Sequence, residues 1–169
     1  MKSVWLRKFF FALLILILPF SSFAEEKNNE KYTHLKVKSD NKGWEIYIDS
    51  ATIDKNIAKS LYPKLNTPEA AVVYFYASKI RDDDEYKKVL PPIESLSKRN
   101  KRKLKYKLEK MSKWKFIELK LVKRKKINKT QYWIKIYMKV SIKGRIDQGT
   151  DEAEVSFING KWYLSMPPT

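Results

Sequence analysis

The chain has 169 residues, no cysteine, one histidine, and 36 Lys or Arg against 19 Asp or Glu, for a formal charge of +17. The missing cysteines exclude disulfides and thiolate chemistry, and with a single histidine they exclude the usual zinc sites. The length suits one domain that buries about two-thirds of its unfolded surface, and five Trp, ten Tyr and eight Phe supply bulk for its core.

Residues 1–24 read as a cleavable export signal. Lys2, Arg7 and Lys8 are the charges ahead of Glu25, Phe9 to Phe20 is apolar, and Ser22 and Ala24 put small residues at −3 and −1 of a cut after Ala24. The apolar run falls short of the ~20 residues that span a bilayer. The expectation is a periplasmic or secreted protein that starts at Glu25. Residues 25–32 are polar and read as a flexible leader.

Residues 33–66 read as a hairpin and a connector. His34 to Lys38 and Trp44 to Ile48 alternate, and Ser39-Asp40-Asn41-Lys42-Gly43 between them carries turn-forming residues. A short helix is expected around Ile53 to Leu61, ended by Pro63.

Thr67-Pro68-Glu69-Ala70 announces a helix, with Thr as cap, Pro at the first position, and Glu against the positive end. Val72, Phe75, Tyr76 and Ile80 give it a one-sided apolar stripe. Asp82-Asp83-Asp84 breaks it and caps a brief second helix to Leu90, where Pro91-Pro92 stops the chain. A third helix is expected from Ile93 to Met111, burying Leu104, Leu108 and Met111.

Strands follow. Lys113 to Arg124 alternates imperfectly. Tyr132 to Ile142 alternates cleanly, with Tyr132, Ile134, Ile136, Met138, Val140 and Ile142 on one face. Ala153 to Ile158 and Lys161 to Ser165 flank Asn159-Gly160, the strongest short hairpin signal. Residues 67–169 therefore form one α+β domain, with N-terminal helices on a curved antiparallel sheet and an extra N-terminal hairpin.

The order of these elements, opened by Thr67-Pro68-Glu69-Ala70 and closed by Gly160-Lys161-Trp162, resembles small exported members of the nuclear-transport-factor-like superfamily, the cone fold of ketosteroid isomerases and snoaL-like cyclases. The resemblance covers roughly residues 66 to 166. The hairpin at 34 to 48 departs from the pattern, as does the lack of a lipid-modified cysteine. The resemblance implies an apolar pocket inside the cone. It implies no activity, because the fold hosts enzymes and binding modules alike.

Charge is the most informative feature of the domain. Removing the three basic residues of the export signal takes the balance from +17 to +14, and residues 98–126 alone hold fifteen Lys or Arg against two acids. Arg99, Lys101, Arg102 and Lys105 are the candidate anion-binding residues. Outside the cytoplasm the partners they imply are an anionic envelope component (a membrane surface or an acidic glycan), a protein, or a second copy of the chain. Nucleic acid fits the Trp133, Lys135 and Tyr137 ladder but not the compartment. No cofactor or metal is expected, and no catalytic constellation is present, so the reading is a non-enzymatic binding or assembly domain. The alternative is a small pocket enzyme of isomerase or dehydratase type. It would use an inward carboxylate among Asp147, Asp151, Glu152 and Glu154, its pKa raised by burial; His34 is the remaining candidate base.

Overall fold

The computed structural model of the protein describes residues 29–167, and the export signal expected over 1–24 lies outside the described residues. Strands β1 (Val37–Ser39), β2 (Glu45–Tyr47), β3 (Trp114–Asn128), β4 (Gln131–Ile142), β5 (Arg145–Ile158) and β6 (Lys161–Met166) form one antiparallel sheet whose spatial order is the chain order. Helices α1 (Lys55–Ala58), α2 (Pro68–Arg81) and α3 (Lys98–Met111) lie on one side of it. The class is α+β, as expected.

The N-terminal hairpin takes the form of a three-residue pair, Val37 opposite Tyr47, and β2 continues the main sheet through Glu45 opposite Arg124. Asp40 shapes its loop by accepting the amides of Lys42 and Trp44, both at 2.8 Å. The part of the expected flexible leader that is described is instead helical. Residues 29–33 form a turn of helix that buries Asn29, Tyr32 and Thr33. The Thr33 carbonyl accepts the Thr67 hydroxyl at 3.0 Å, which ties this segment to the cap of α2.

Helix α2 starts where the sequence signals it, with the Thr67 hydroxyl accepting the Ala70 amide at 3.1 Å. The one-sided stripe needs correction. Twelve of the fourteen residues are buried, because the sheet covers one side while α1, residues 29–33 and the segment after α2 cover the rest. Asp82 adopts the left-handed region, with φ of 65°, and ends the helix. The brief second helix is a 3₁₀ helix, Glu85–Val89. It is stapled by Ser78, whose hydroxyl donates to Asp83 and accepts the Tyr86 amide.

The third helix starts later than expected. Ile93–Ser95 is a separate 3₁₀ turn, Leu96 is extended, and Ser97 caps α3 by accepting the Asn100 amide at 3.2 Å. Pro91-Pro92 explains the split, since neither residue donates a backbone hydrogen bond and Pro92 sits in extended geometry.

β3 owes its imperfect alternation to register shifts at Phe116/Glu118, Leu121/Lys123 and Lys126/Asn128. The first returns Leu119 and Leu121 to the core after Phe116, the second turns Arg124 toward the helices, and such shifts also curve the sheet. β4 matches its pattern: Ile134, Ile136, Met138 and Val140 are buried, Tyr132 and Ile142 are half-buried, and Lys135 and Lys139 are half-exposed on the other face. The space between α2 and the sheet is filled by side chains, with Phe75, Tyr76 and Phe116 packed edge to face. β5 begins at Arg145, well before the expected Ala153, after a tight turn in which Lys143 and Gly144 take φ of 52° and 82°. The Asn159-Gly160 turn has the same left-handed pair, 49° and 81°, matching the right-handed twist of the strands.

Candidate functional site

The four sequence-predicted residues sit on α3, all exposed. The helix faces the core through Leu104 and Met111, with Leu108 half-buried beside them. At about 100° per residue, Lys101 and Lys105 flank Leu104 and Leu108 on one side, whereas Arg102 and then Arg99 lie further round toward solvent. The four therefore wrap the exposed half of the helix rather than point in one direction.

Little in the described structure neutralises them. The ion pair on α3 among the described residues is Lys105 with Glu109 at 3.9 Å, exposed at both ends, and such pairs contribute little. The first turn holds no acid, so Lys98, Arg99 and Lys101 crowd the positive end of the helix dipole. Lys107 is spent differently. Its ammonium donates to the Pro167 carbonyl at 2.7 Å, and burial pulls its pKa down while Asp151 opposes that.

Beside the basic arc runs an apolar groove of about 550 Å³, formed where the 90–96 connector passes along α3. Leu90, Pro91, Ile93, Leu96, Leu104 and Leu108 line it, with Lys101 and Lys105 at its rim. Sequence reasoning missed this groove. Part of its wall, residues 93–96, falls within the expected third helix and is instead a separate turn, and its signal is the Pro91-Pro92 pair followed by isolated apolar residues.

The basic stretch 98–126 is continuous in sequence and divided in space. The turn at Ser112-Lys113 sends the chain into β3, whose register puts Lys115, Lys120, Lys123 and Lys125 on the face of the sheet away from the helices, opposite Ser141, Tyr137, Lys135 and Trp133. There the Lys123 ammonium lies 4.5 Å from the centre of the Trp44 ring. Glu118 stands across from Lys139, and Glu152 across from Lys135, so this second positive face is partly balanced.

The carboxylates of the alternative reading separate as the strand dictates. Asp147 and Asp151 pair across β4 with Val140 and Ile136, which face the helices; Glu152 pairs with Lys135 on the other face. A cleft of about 300 Å³ lies beside them, lined by Trp114, Met138, Val140, Ile142 and Lys110. Each aspartate also accepts the amide of its successor, Gln148 at 2.9 Å and Glu152 at 2.7 Å. Nearby, the Tyr76 hydroxyl is buried with no hydrogen-bond partner. Burial, and then the charge of Asp151, push its pKa well above the usual phenol value. Glu154 accepts from the Gln131 amide at 2.8 Å and the Ser165 hydroxyl at 3.3 Å. His34 is exposed and meets the Thr33 hydroxyl at 3.2 Å. Among the described residues no group of three His, Asp or Glu could hold a metal ion, and no helix is long and apolar enough to cross a membrane.

No protein-family profile, curated protein or solved structure matches this chain.

Proposed function

We propose that the protein is an exported, non-enzymatic binding domain that engages an anionic component of the cell envelope through α3. The observation that supports this reading most is the exposed arc of Arg99, Lys101, Arg102 and Lys105, which is matched by a single exposed ion pair among the described residues. Like charges at i,i+4, such as Lys101 with Lys105 and Arg99 with Lys103, destabilise a helix, so an anionic partner would relieve a cost that the fold otherwise carries. The basic start, apolar run and small-residue exit of residues 1–24 support export. The likeness to the nuclear-transport-factor-like superfamily belongs to the same proposal and rests on the opening and closing motifs quoted above.

The test is binding to anionic vesicles and to an acidic polysaccharide at low and high salt. The wild type is expected to bind in a salt-sensitive way, since exposed charges are screened beyond about 8 Å at physiological ionic strength. Reversing Arg99, Lys101, Arg102 and Lys105 to Glu is expected to abolish binding while leaving the melting temperature the same or higher. Equal, salt-independent binding by both proteins removes α3 from the mechanism. The pocket-enzyme alternative is supported by the cleft beside Asp151, and it makes the opposite prediction: activity survives charge reversal and is lost in Asp151→Asn.

A further inference from the structure

Resting on the anionic-partner reading of α3, we infer that the partner is the surface of an anionic phospholipid bilayer, onto which α3 and the 90–96 connector dock together, with Ile93 entering the interface. Three observations carry this. Ile93 is 65% exposed at the tip of the connector, with Leu96 half-buried behind it and the apolar groove open between them and α3. Lys101 and Lys105 stand at this lip, and Lys98, Arg102 and then Arg99 follow round the helix toward solvent, all exposed. Glu94 and Glu109 are the acids beside them, and Glu109 is paired with Lys105.

Three donors of the connector are satisfied within its own turn. The Ser95 amide and hydroxyl both donate to the Pro92 carbonyl, at 3.0 and 2.7 Å, and the Leu96 amide donates to the Ile93 carbonyl at 3.2 Å. Pro91 and Pro92 have no amide hydrogen to satisfy. The turn can therefore leave water without stranding these donors, which is where a polar loop would pay its largest desolvation penalty.

The chemistry of the occupant follows from having both elements side by side. A glycan neutralises the lysines but offers little apolar surface for Ile93 and the groove, and the base faces of a nucleic acid suit aromatic stacking platforms rather than an aliphatic side chain beside an aliphatic groove. An anionic leaflet offers both, with phosphates at the level of the cations and acyl chains below. Interfacial elements bury their apolar side about 5–10 Å deep and gain from basic residues near anionic lipid.

The probe is phosphatidylglycerol–phosphatidylcholine vesicles, compared with pure phosphatidylcholine vesicles and with soluble dextran sulfate, using the full mature chain. Binding to the mixed vesicles is expected, with little to pure phosphatidylcholine. Ile93→Asn, which leaves the charge unchanged, is expected to weaken partitioning by about tenfold or more, the scale set by burying one large aliphatic side chain, while binding to dextran sulfate stays unchanged. The chain has no cysteine, so an environment-sensitive fluorophore on Ile93→Cys reports uniquely and is expected to shift to the blue on mixed vesicles. The same label on Ile146→Cys, on the far face of the sheet, is expected not to. If Ile93→Asn binds mixed vesicles like the wild type, or the Ile93 label does not shift, insertion is overturned and electrostatic binding survives. If dextran sulfate binds and vesicles do not, the bilayer is overturned as the partner. Failure to bind either probe overturns the anionic-partner reading itself.

Discussion

The guanidinium of Arg124 reaches from β3 to the carboxylate of Glu69 in the first turn of α2, Nη1 to Oε1 at 2.7 Å, across 55 positions of chain. Glu69 is 2% exposed, and it also accepts the Tyr47 hydroxyl at 2.7 Å. Arg124 binds Glu45 of β2 as well, at 2.5 Å, and its Cζ lies 5.4 Å from the centre of the Tyr132 ring. Burial alone would lower the arginine's pKa, but Glu69 and Glu45 raise it above its ordinary value. One cation thus fastens the helix layer to the sheet edge.

Removing one partner of a buried pair leaves the other charge uncompensated, at a cost of about 3–5 kcal/mol. Arg124→Ala, which strands the buried Glu69 carboxylate, is expected to lie in that range by urea unfolding, and Glu69→Ala, which leaves Arg124 paired with Glu45, is expected to cost less. Tyr47→Phe, which removes one hydroxyl, is expected to cost about 1 kcal/mol. The double variant Glu69→Leu with Arg124→Met is expected to be less destabilised than the sum of its single changes. Simple additivity would show that the two residues are not coupled.

The period-two pattern of β4 makes a sharper contrast. Ile136 is fully buried, so Ile136→Ala is expected to cost about 2–5 kcal/mol. Lys139, half-exposed on the opposite face, is expected to tolerate Ala with a change within about 0.5 kcal/mol. Similar melting temperatures for the two variants would contradict the strand register.

Alkaline pH addresses the tyrosines of the core. Burial pushes Tyr74 up to about 12, and burial together with the charge of Glu69 holds Tyr47 well above the ordinary value. Because these folded-state values are raised, their contribution is complete below about pH 10, the unfolded value, and is lost as pH climbs through the folded values. Absorbance at 295 nm should show a late fraction of phenolate that appears together with unfolding. Tyr74→Phe is expected to shrink the stability change between pH 10 and 12. Tyr76→Phe, which removes a buried hydroxyl without a partner, is expected to leave stability unchanged or raise it. A single titration centred near pH 10 with the fold intact would contradict the burial of these rings.

The elements that could be read from sequence were those fixed by local chemistry. Thr67-Pro68 sets the start of α2, Asn159-Gly160 sets the last turn, and the alternation of β4 sets its faces, because each depends on residues within a few positions. The roles of Glu69 and Arg124 were hidden for the opposite reason. Glu69 suits a first helical turn whether it faces water or protein, and Arg124 looked like one more cation in a basic run. In the site, the exposure of Arg99, Lys101, Arg102 and Lys105 followed from the spacing of Leu104, Leu108 and Met111. The groove depends on where Pro91 and Pro92 steer the connector, and the division of the basic stretch depends on the reversal at Ser112-Lys113. Neither is a property of a sequence window.

The identity of chain order and strand order bears on how the molecule assembles. From β3 to β6 each strand meets its predecessor through a two-residue turn, so the sheet can zip up by successive short loop closures, each entropically cheap. The distant closures join the N-terminal half to this meander: the bridge of Ile53 to Leu119, the pairing of Glu45 with Arg124, the Arg124–Glu69 contact, and the Trp162 amide on the Leu65 carbonyl. A meander of β3 to β6 can thus form before the N-terminal half docks. In that order, changes in the two glycine turns would slow folding, whereas loss of Arg124 would mainly hasten unfolding.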